Sequence, residues 1–349
     1  MTQALTIALD AMGGDNAPKV VVRGVALARV RHPEVRYLLF GDERRVAPLL
    51  RRKPKLRKIV SLVHTEKVIP GEMKPSLALR QGRGSSMWES INAVHDGRAA
   101  AVVSAGNTGA LMVLAKTVLG TLPGIDRPAI AAYYPTLRGE SVMLDLGANV
   151  ECDANNLVQF AVMGEVFART VLGLERPTIG LLNVGEEPVK GRDAVKAASA
   201  ILRNTRLPIR FEGFVEGDDI ATGTVDVVVT DGFTGNIALK TAEGTAHLLR
   251  EFVRQAFKSS LLAKVGFLMA RSALKKMHVR TDPRRYNGAM FLGLNGITVK
   301  SHGGTDALGF ANAIGVAIDL AAGRFNDRIK EEFGRLSDSQ EAKPHVAAG

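Results

Sequence analysis

Short runs rich in β-branched and aliphatic residues alternate with longer stretches whose apolar positions recur every three or four residues. This alternation leaves few folds open, because it is the signature of βαβ units and a largely parallel sheet covered by helices. Strands are expected at Leu5–Asp10, Arg36–Phe40, Ile59–Val63, Ala100–Ser104, Ser141–Asp145, Thr178–Asn183, Ile209–Val215 and Val225–Thr230. Helices are expected at Ala17–Val30, Thr108–Leu119, Asn156–Leu172, Arg192–Asn204, Asn236–Phe257 and Ala307–Ala322, where the apolar spacing suits a core-facing face. No internal repeat, low-complexity tract or long linker interrupts the pattern, so residues 1–335 read as one interleaved α/β unit. Residues 336–349, small and polar from Ser337 onward, are expected to form a disordered tail.

In open α/β sheets, ligands bind beyond the carboxyl ends of strands, so the residues after each strand carry the functional information. Here they are rich in Gly, Asn, Asp and Thr. They read Asp10-Ala-Met-Gly13-Gly14-Asp15-Asn16, Ser104-Ala-Gly106-Asn107-Thr108-Gly109, Asp145-Leu-Gly147-Ala-Asn149, Asn183-Val-Gly185-Glu186-Glu187 and Asp231-Gly232-Phe-Thr234-Gly235-Asn236. One such segment is merely a turn, but five at corresponding places point to a single shared crevice.

Glycine lets backbone amides face a ligand, and a helix N-terminus adds partial positive charge. Asn107-Thr108-Gly109 opens an apolar helix in a way suited to phosphate, and Asn236 lies at the start of another. Neither G-x-x-x-x-G-K-[ST] nor a G-x-G-x-x-G after the first strand occurs, which argues against a P-loop and a dinucleotide fold. Cations near strand ends are few: Lys190, then Lys300 and His302. A phosphate dianion must be gathered by positive charge, and attack on a thioester creates an oxyanion that needs donors. Lys190, Lys300, His302 and the Asn236 amide fit both needs, with His302 either protonating a leaving thiolate or standing outside the reaction. No G-x-S-x-G elbow is present, and the single cysteine, Cys152, has no local histidine, which favours direct transfer without a covalent enzyme intermediate. The carboxylate pairs Glu186-Glu187 and Asp218-Asp219 read as turn formers and loop anchors.

One cysteine allows no intrachain disulfide and no cysteine-rich metal site, in keeping with a cytosolic protein. Met1 to Asp10 shows no signal-peptide pattern, and no run of about 18 apolar residues marks a membrane span. The formal charge of +11 points to a polyanionic partner. Two runs concentrate it. The first holds Arg44, Arg45, Arg51, Arg52, Lys53, Lys55, Arg57 and Lys58; the second spans Arg271 to Arg285 with Lys275, Lys276, Arg280 and Arg284.

Between Phe257 and Met277, Leu261, Val265 and Leu268 fall on one helical face, with Leu262 and Met269 beside it and Phe267 nearby. Lys258, Lys264, Arg271, Lys275 and Lys276 border that face, while Ser259-Ser260 and Gly266 allow bends. Such a basic amphipathic segment suits an anionic membrane surface, and equally a helical hairpin at a dimer interface.

The motifs together resemble the PlsX family of bacterial phosphate acyltransferases, in order and over nearly the whole chain. The opening Leu9-Asp10-Ala-Met-Gly-Gly-Asp15 is the most specific. It is followed by Ser104–Met112, Leu144–Asn149, Asn183–Glu187 with Lys190-Gly191, Glu216–Ile220, Asp231–Asn236, Asn295-Gly296 and Lys300–Gly303. The resemblance implies transfer of a long-chain acyl group from acyl carrier protein to inorganic phosphate, without a cofactor or metal. It implies a three-layer α/β/α sandwich similar to phosphotransacetylases and isopropylmalate-type dehydrogenases, with a projecting amphipathic hairpin near residues 255–280, in a homodimer. Catalytic roles pass to Lys190, Asn236, Lys300 and His302. Phosphate or substrate contact passes to Asp10, Gly13, Gly14, Asp15, Asn107, Thr108, Gly109, Asn149 and Asp231. The acidity of acyl carrier protein gives the basic runs a partner, and Leu261, Leu262, Val265, Phe267 and Leu268 become the membrane contact of a cytoplasmic enzyme peripheral to the inner face of the membrane. The Arg44–Lys58 run is more basic than the resemblance requires.

Two rival readings make opposite demands. A dehydrogenase of the isopropylmalate type needs a metal-binding aspartate cluster and a nicotinamide site, and neither pattern is found. A nucleic-acid binder needs aromatic residues among its cations. Only 5% of residues are aromatic, and neither basic run contains Trp or Phe.

Overall fold

The computed structural model describes residues 5–205, 209–280 and 282–341. Eleven strands form one sheet: β1 Thr6–Asp10, β2 Arg36–Gly41, β3 Val60–His64, β4 Ala101–Ser104, β5 Ala129–Pro135, β6 Glu140–Leu144, β7 Thr178–Leu182, β8 Arg210–Val215, β9 Val227–Val229, β10 Ala289–Leu292 and β11 Ile297–Lys300. The helices are α1 Lys19–Arg31, α2 Glu43–Arg51, α3 Pro75–Gln81, α4 Ser86–His95, α5 Thr108–Leu119, α6 Ala154–Phe167, α7 Asp193–Arg203, α8 Asp219–Thr222, α9 Gly232–Lys258, α10 Leu261–Arg280, α11 Ala307–Ala322 and α12 Phe325–Glu341.

Successive side chains of a strand point to opposite faces, and here both faces are apolar. Ile7 and Leu9 enter one core while Ala8 between them enters the other, and Val142 and Leu144 are split from Met143 in the same way. Helices α1, α6 and α11 cover the first face; α4 and α5 cover the second. The result is the expected three-layer α/β/α sandwich with a largely parallel sheet.

Strand order is β3-β2-β1-β4-β11-β10-β5-β6-β9-β7-β8. Strands β10 and β5, absent from the sequence reading, are antiparallel to both their neighbours. Through them the direction of β6, β9, β7 and β8 is reversed relative to β3, β2, β1, β4 and β11. The glycine-rich loops therefore fall into two rows on oppositely directed half-sheets. Sheet twist then matters. At about 20–25° per strand step, the six steps from β1 to β9 rotate the strands by more than about 100°.

Two other expectations change. The tail read as disordered from residue 336 instead continues α12 to Glu341, and residues 342–349 lie outside the described residues, as do residues 1–4 at the other end. Gly266 does not bend the chain, since α10 is continuous; the break falls at Ser259-Ser260, between α9 and α10. Among the described residues no single helix is long and apolar enough to cross a membrane.

Candidate active site

The first row of loops is built around a buried carboxylate. Asp10 ends β1, is 1% exposed, and accepts the Ser104 hydroxyl at 2.7 Å and the Met12 N–H at 3.2 Å. Burial raises its pKa above the usual carboxylate range, against the pull of these bonds. The Gly106 N–H donates to Ser104 Oγ at 3.0 Å, which ties the loop after β4 to the loop after β1. Gly13 lies in the same knot: a Cβ there would stand 2.5 Å from Asp10 Oδ2 and 2.7 Å from the Gly106 nitrogen, so no side chain fits. Gly14 has φ +95° and the Asp15 N–H donates to the Gly303 carbonyl at 3.0 Å, joining a third loop, the one after β11.

Lys300 is the last residue of β11 and pairs in register with Ser104. Its Nζ donates to the Ser301 carbonyl. Burial pushes its ammonium down to about 8, although Asp15 and Asp10 favour the charged form. His302 follows, with its main-chain N–H held by the Asn287 side-chain carbonyl at 2.8 Å and its Nδ1 accepting the Gly304 N–H at 3.2 Å. Asn287 also donates to Ser301 Oγ at 2.8 Å and Thr305 Oγ1 at 3.3 Å. The sequence reading missed Asn287, and an isolated Asn-Gly in a loop carries no signal that would single it out.

Asn107 is committed differently from the expectation. Its Oδ1 caps α5 by accepting the Ala110 N–H at 2.9 Å, and its Nδ2 donates to the carbonyls of Gly71 and Met73 at 2.6 and 3.0 Å. The first-turn N–H groups at Thr108 and Gly109 are the donors that a helix N-terminus leaves without intrahelical partners.

The second row is held by Asp145, fully buried at the end of β6. Its Oδ1 accepts the N–H groups of Ile130, Gly147 and Ala148 at 3.0–3.1 Å, and its Oδ2 accepts both the main-chain N–H and the side-chain amide of Asn149 at 2.8 Å. Asn149 also donates to the Pro128 carbonyl at 2.8 Å, so its side chain works as a loop tie. Asp231 caps α9 by accepting the Thr234 N–H at 2.8 Å, and pairs with Arg192 at 3.3 Å. Asn236, one turn into α9, is exposed and lies against Gly147, where a Cβ would stand 3.6 Å from its own. Lys190 lies across Gly185 and pairs with Glu187 at 2.8 Å, which raises the pKa of the lysine and lowers that of the glutamate. Asp219 accepts the Glu216 N–H at 2.8 Å, a loop anchor as read from the sequence. Beside this row lies a cavity of about 510 Å³ lined by Val150, Glu151, Cys152, Arg192 and Phe233. Burial, with Asp145 and Asp231 adding, pushes the Cys152 thiol up to about 12, so it stays protonated at neutral pH.

The structure therefore brings Asp10, Gly13, Gly14, Asp15, Lys300 and His302 together, and separately Lys190, Asn149, Asp231 and Asn236. Among the described residues no hydrogen bond or ion pair joins the two groups.

Along α10, the half-buried Ala263, Ala270 and Leu274 recur at helical spacing with Phe267, whose ring meets Phe257 of α9 at 5.4 Å. Phe267 thus touches α9 with one side of its ring while remaining 44% exposed. Leu261, Leu262, Val265, Leu268 and Met269 occupy the other side and are 54–82% exposed.

Residues 5–328 match the family model described as "Fatty acid synthesis protein". A phosphate acyltransferase of Paramagnetospirillum magneticum is 64% identical over 349 residues, covering 100% of this chain and 99% of that one. The phosphate acyltransferase of Rhodospirillum rubrum is 64% identical over 336 residues, with 96% of each chain covered. Among solved structures, a phosphotransacetylase from Streptococcus pyogenes has a TM-score of 0.61 at 16% identity, covering 92% of this chain and 95% of that one. A 4-hydroxythreonine-4-phosphate dehydrogenase from Klebsiella pneumoniae has a TM-score of 0.53 at 16% identity, covering 91% and 100%. These two likenesses establish the fold alone.

Proposed function

This chain belongs to the PlsX family of phosphate acyltransferases, and from that membership we propose that it moves a long-chain fatty acyl group from acyl carrier protein thioester to inorganic phosphate, releasing acyl phosphate for phosphatidic acid synthesis. A phosphate oxygen attacks the thioester carbonyl carbon, whose oxygen takes up negative charge in a tetrahedral intermediate. Collapse breaks the C–S bond, and the carrier sulfur leaves and takes a proton. No covalent enzyme intermediate is needed, in keeping with the protonated, half-buried Cys152.

The observation that carries this reading is Lys300, a cation largely withdrawn from water beside a turn where Gly13 admits no side chain. In that setting an ammonium attracts a dianion far more strongly than it would in bulk water. Lys300 and His302, with the Gly13–Asp15 loop and the first turn of α5, are assigned to phosphate; Asp10 holds the loop rather than the anion. Lys190 and Asn236 are assigned to the thioester carbonyl as it becomes an oxyanion.

The exposed apolar side of α10, with Lys264, Arg271 and Lys275 exposed nearby, supports peripheral attachment of a cytoplasmic enzyme to an anionic membrane surface. The exposed Leu248 and Phe252 of α9 support pairing of hairpins in a homodimer. The reading is tested by incubating the protein with palmitoyl-acyl carrier protein, with and without phosphate and with no nucleotide. Palmitoyl phosphate is expected only when phosphate is present. Carrier release in a stoichiometric burst without phosphate would reject direct attack.

A further inference from the structure

The eight basic side chains between Arg44 and Lys58 lie outside the loops assigned to phosphate and thioester. Helix α2 turns Val46 into the core and half-buries Leu49 and Leu50, which leaves its cations outside. All of the eight but Lys53 are exposed, and the only acid among residues 43–58 is Glu43. None of the eight is in an ion pair among the described residues, although their density would make unpaired cations repel one another. Among the described residues, their one side-chain hydrogen bond runs from Arg45 Nη2 to the Ala17 carbonyl at 3.3 Å.

That bond locates the patch. Ala17 closes the loop carrying Gly13, Gly14 and Asp15, and α2 begins where β2 ends, next to the end of β1. The nine residues of α2 then run about 13 Å away from this rim. A band of unpaired positive charge thus starts at the candidate phosphate loop and extends along the flank of the sheet.

We infer that this α2 flank is the docking surface for an acidic protein, the carrier that delivers the acyl thioester. The inference rests on the reading that the donor is carrier-bound. Two other polyanions fit the surface less well. The stretch from 43 to 58 contains no aromatic residue to stack on bases, and none of its large apolar side chains is exposed to enter lipid. The exposed leucines that suit lipid lie on α10, a different element. An acidic, folded partner asks only for complementary charge, which speeds encounter and sets orientation.

The test uses the full chain carrying Arg51→Glu, Lys55→Glu and Lys58→Glu, three exposed and unpaired positions outside the catalytic loops. A glutamine version of the same triple variant guards against misfolding from charge reversal, and melting temperatures are compared. Two donors are assayed: palmitoyl-acyl carrier protein and carrier-free palmitoyl-pantetheine. The expected result is a KM for the carrier-bound donor raised by about tenfold or more, with weaker salt dependence. The kcat, the KM for phosphate and the kinetics with palmitoyl-pantetheine should stay as in the wild type. Unchanged kinetics with the carrier-bound donor overturn the docking inference and leave the function standing. A variant that keeps those kinetics but no longer sediments with phosphatidylglycerol vesicles assigns the flank to lipid, and also overturns it. Absence of transfer by the wild type from both donors fails the functional reading itself.

Discussion

The side-chain carbonyl of Asn287 accepts the main-chain N–H of His302 at 2.8 Å, while its amide reaches Ser301 Oγ and Thr305 Oγ1. One buried carboxamide thereby fixes the loop that follows Lys300. Replacing Asn287 with alanine leaves the His302 N–H and two hydroxyls short of partners, at a cost of about 1–3 kcal/mol. The expected outcome is a melting temperature lowered by several degrees and a kcat lowered by about tenfold, because the loop no longer holds its geometry. Wild-type stability and turnover in Asn287→Ala would show that the loop is held by other means.

Lys300→Ala should lower kcat/KM for phosphate by about a hundredfold while the protein remains folded, since the group removed sits at a strand end and is in no ion pair among the described residues. Circular dichroism and phosphate-dependence kinetics check the two halves of this statement.

The same residue sets a pH dependence of known sign. Its folded-state pKa, about 8, lies below the ordinary 10.5. Between these values the unfolded chain binds more protons than the folded one, so this group's contribution to stability rises with pH across that window. Its contribution to phosphate capture does the opposite, falling as the ammonium is lost. The value of kcat/KM for phosphate should therefore decline above about pH 8 without a matching loss of stability. Lys300→Arg, whose guanidinium keeps its proton, should lack that decline if it retains activity.

Leu261→Glu with Leu268→Glu places charge on the outward side of α10, where the two leucines are 81% and 67% exposed. Sedimentation with anionic vesicles should fall by about tenfold or more, with turnover on a soluble donor largely intact. Undiminished sedimentation would remove α10 from the membrane account.

The strongly patterned parts of the fold were legible in the sequence. Ile7 to Leu9 and Val142 to Leu144 alternate between two cores, and both segments read as strands from their β-branched and aliphatic content. The strands that went unseen are β5, alanine-rich at Ala129–Pro135, and the four-residue β10 and β11. Alanine-rich β5, and β10 with no β-branched residue, carry weak strand signals, and these two set the direction of half the sheet. That is why five loops could be found while their division into two rows could not. At the candidate site the sequence did not show what each side chain holds. Asn149 and Asp231 look like ligand contacts in sequence, yet their side chains serve as a loop tie and a helix cap. Asparagine and aspartate do both jobs with the same atoms, and only partners distinguish them.

In the proposed reaction a phosphate oxygen becomes bonded to the acyl carbon. Phosphate labelled with oxygen-18 at every position, supplied with palmitoyl-acyl carrier protein, tests that bond when the product's mass is read before hydrolysis. The prediction is palmitoyl phosphate retaining the whole label, including the oxygen that bridges phosphorus and carbonyl carbon. Free palmitate with no labelled acyl phosphate, from folded protein and intact carrier, would contradict it.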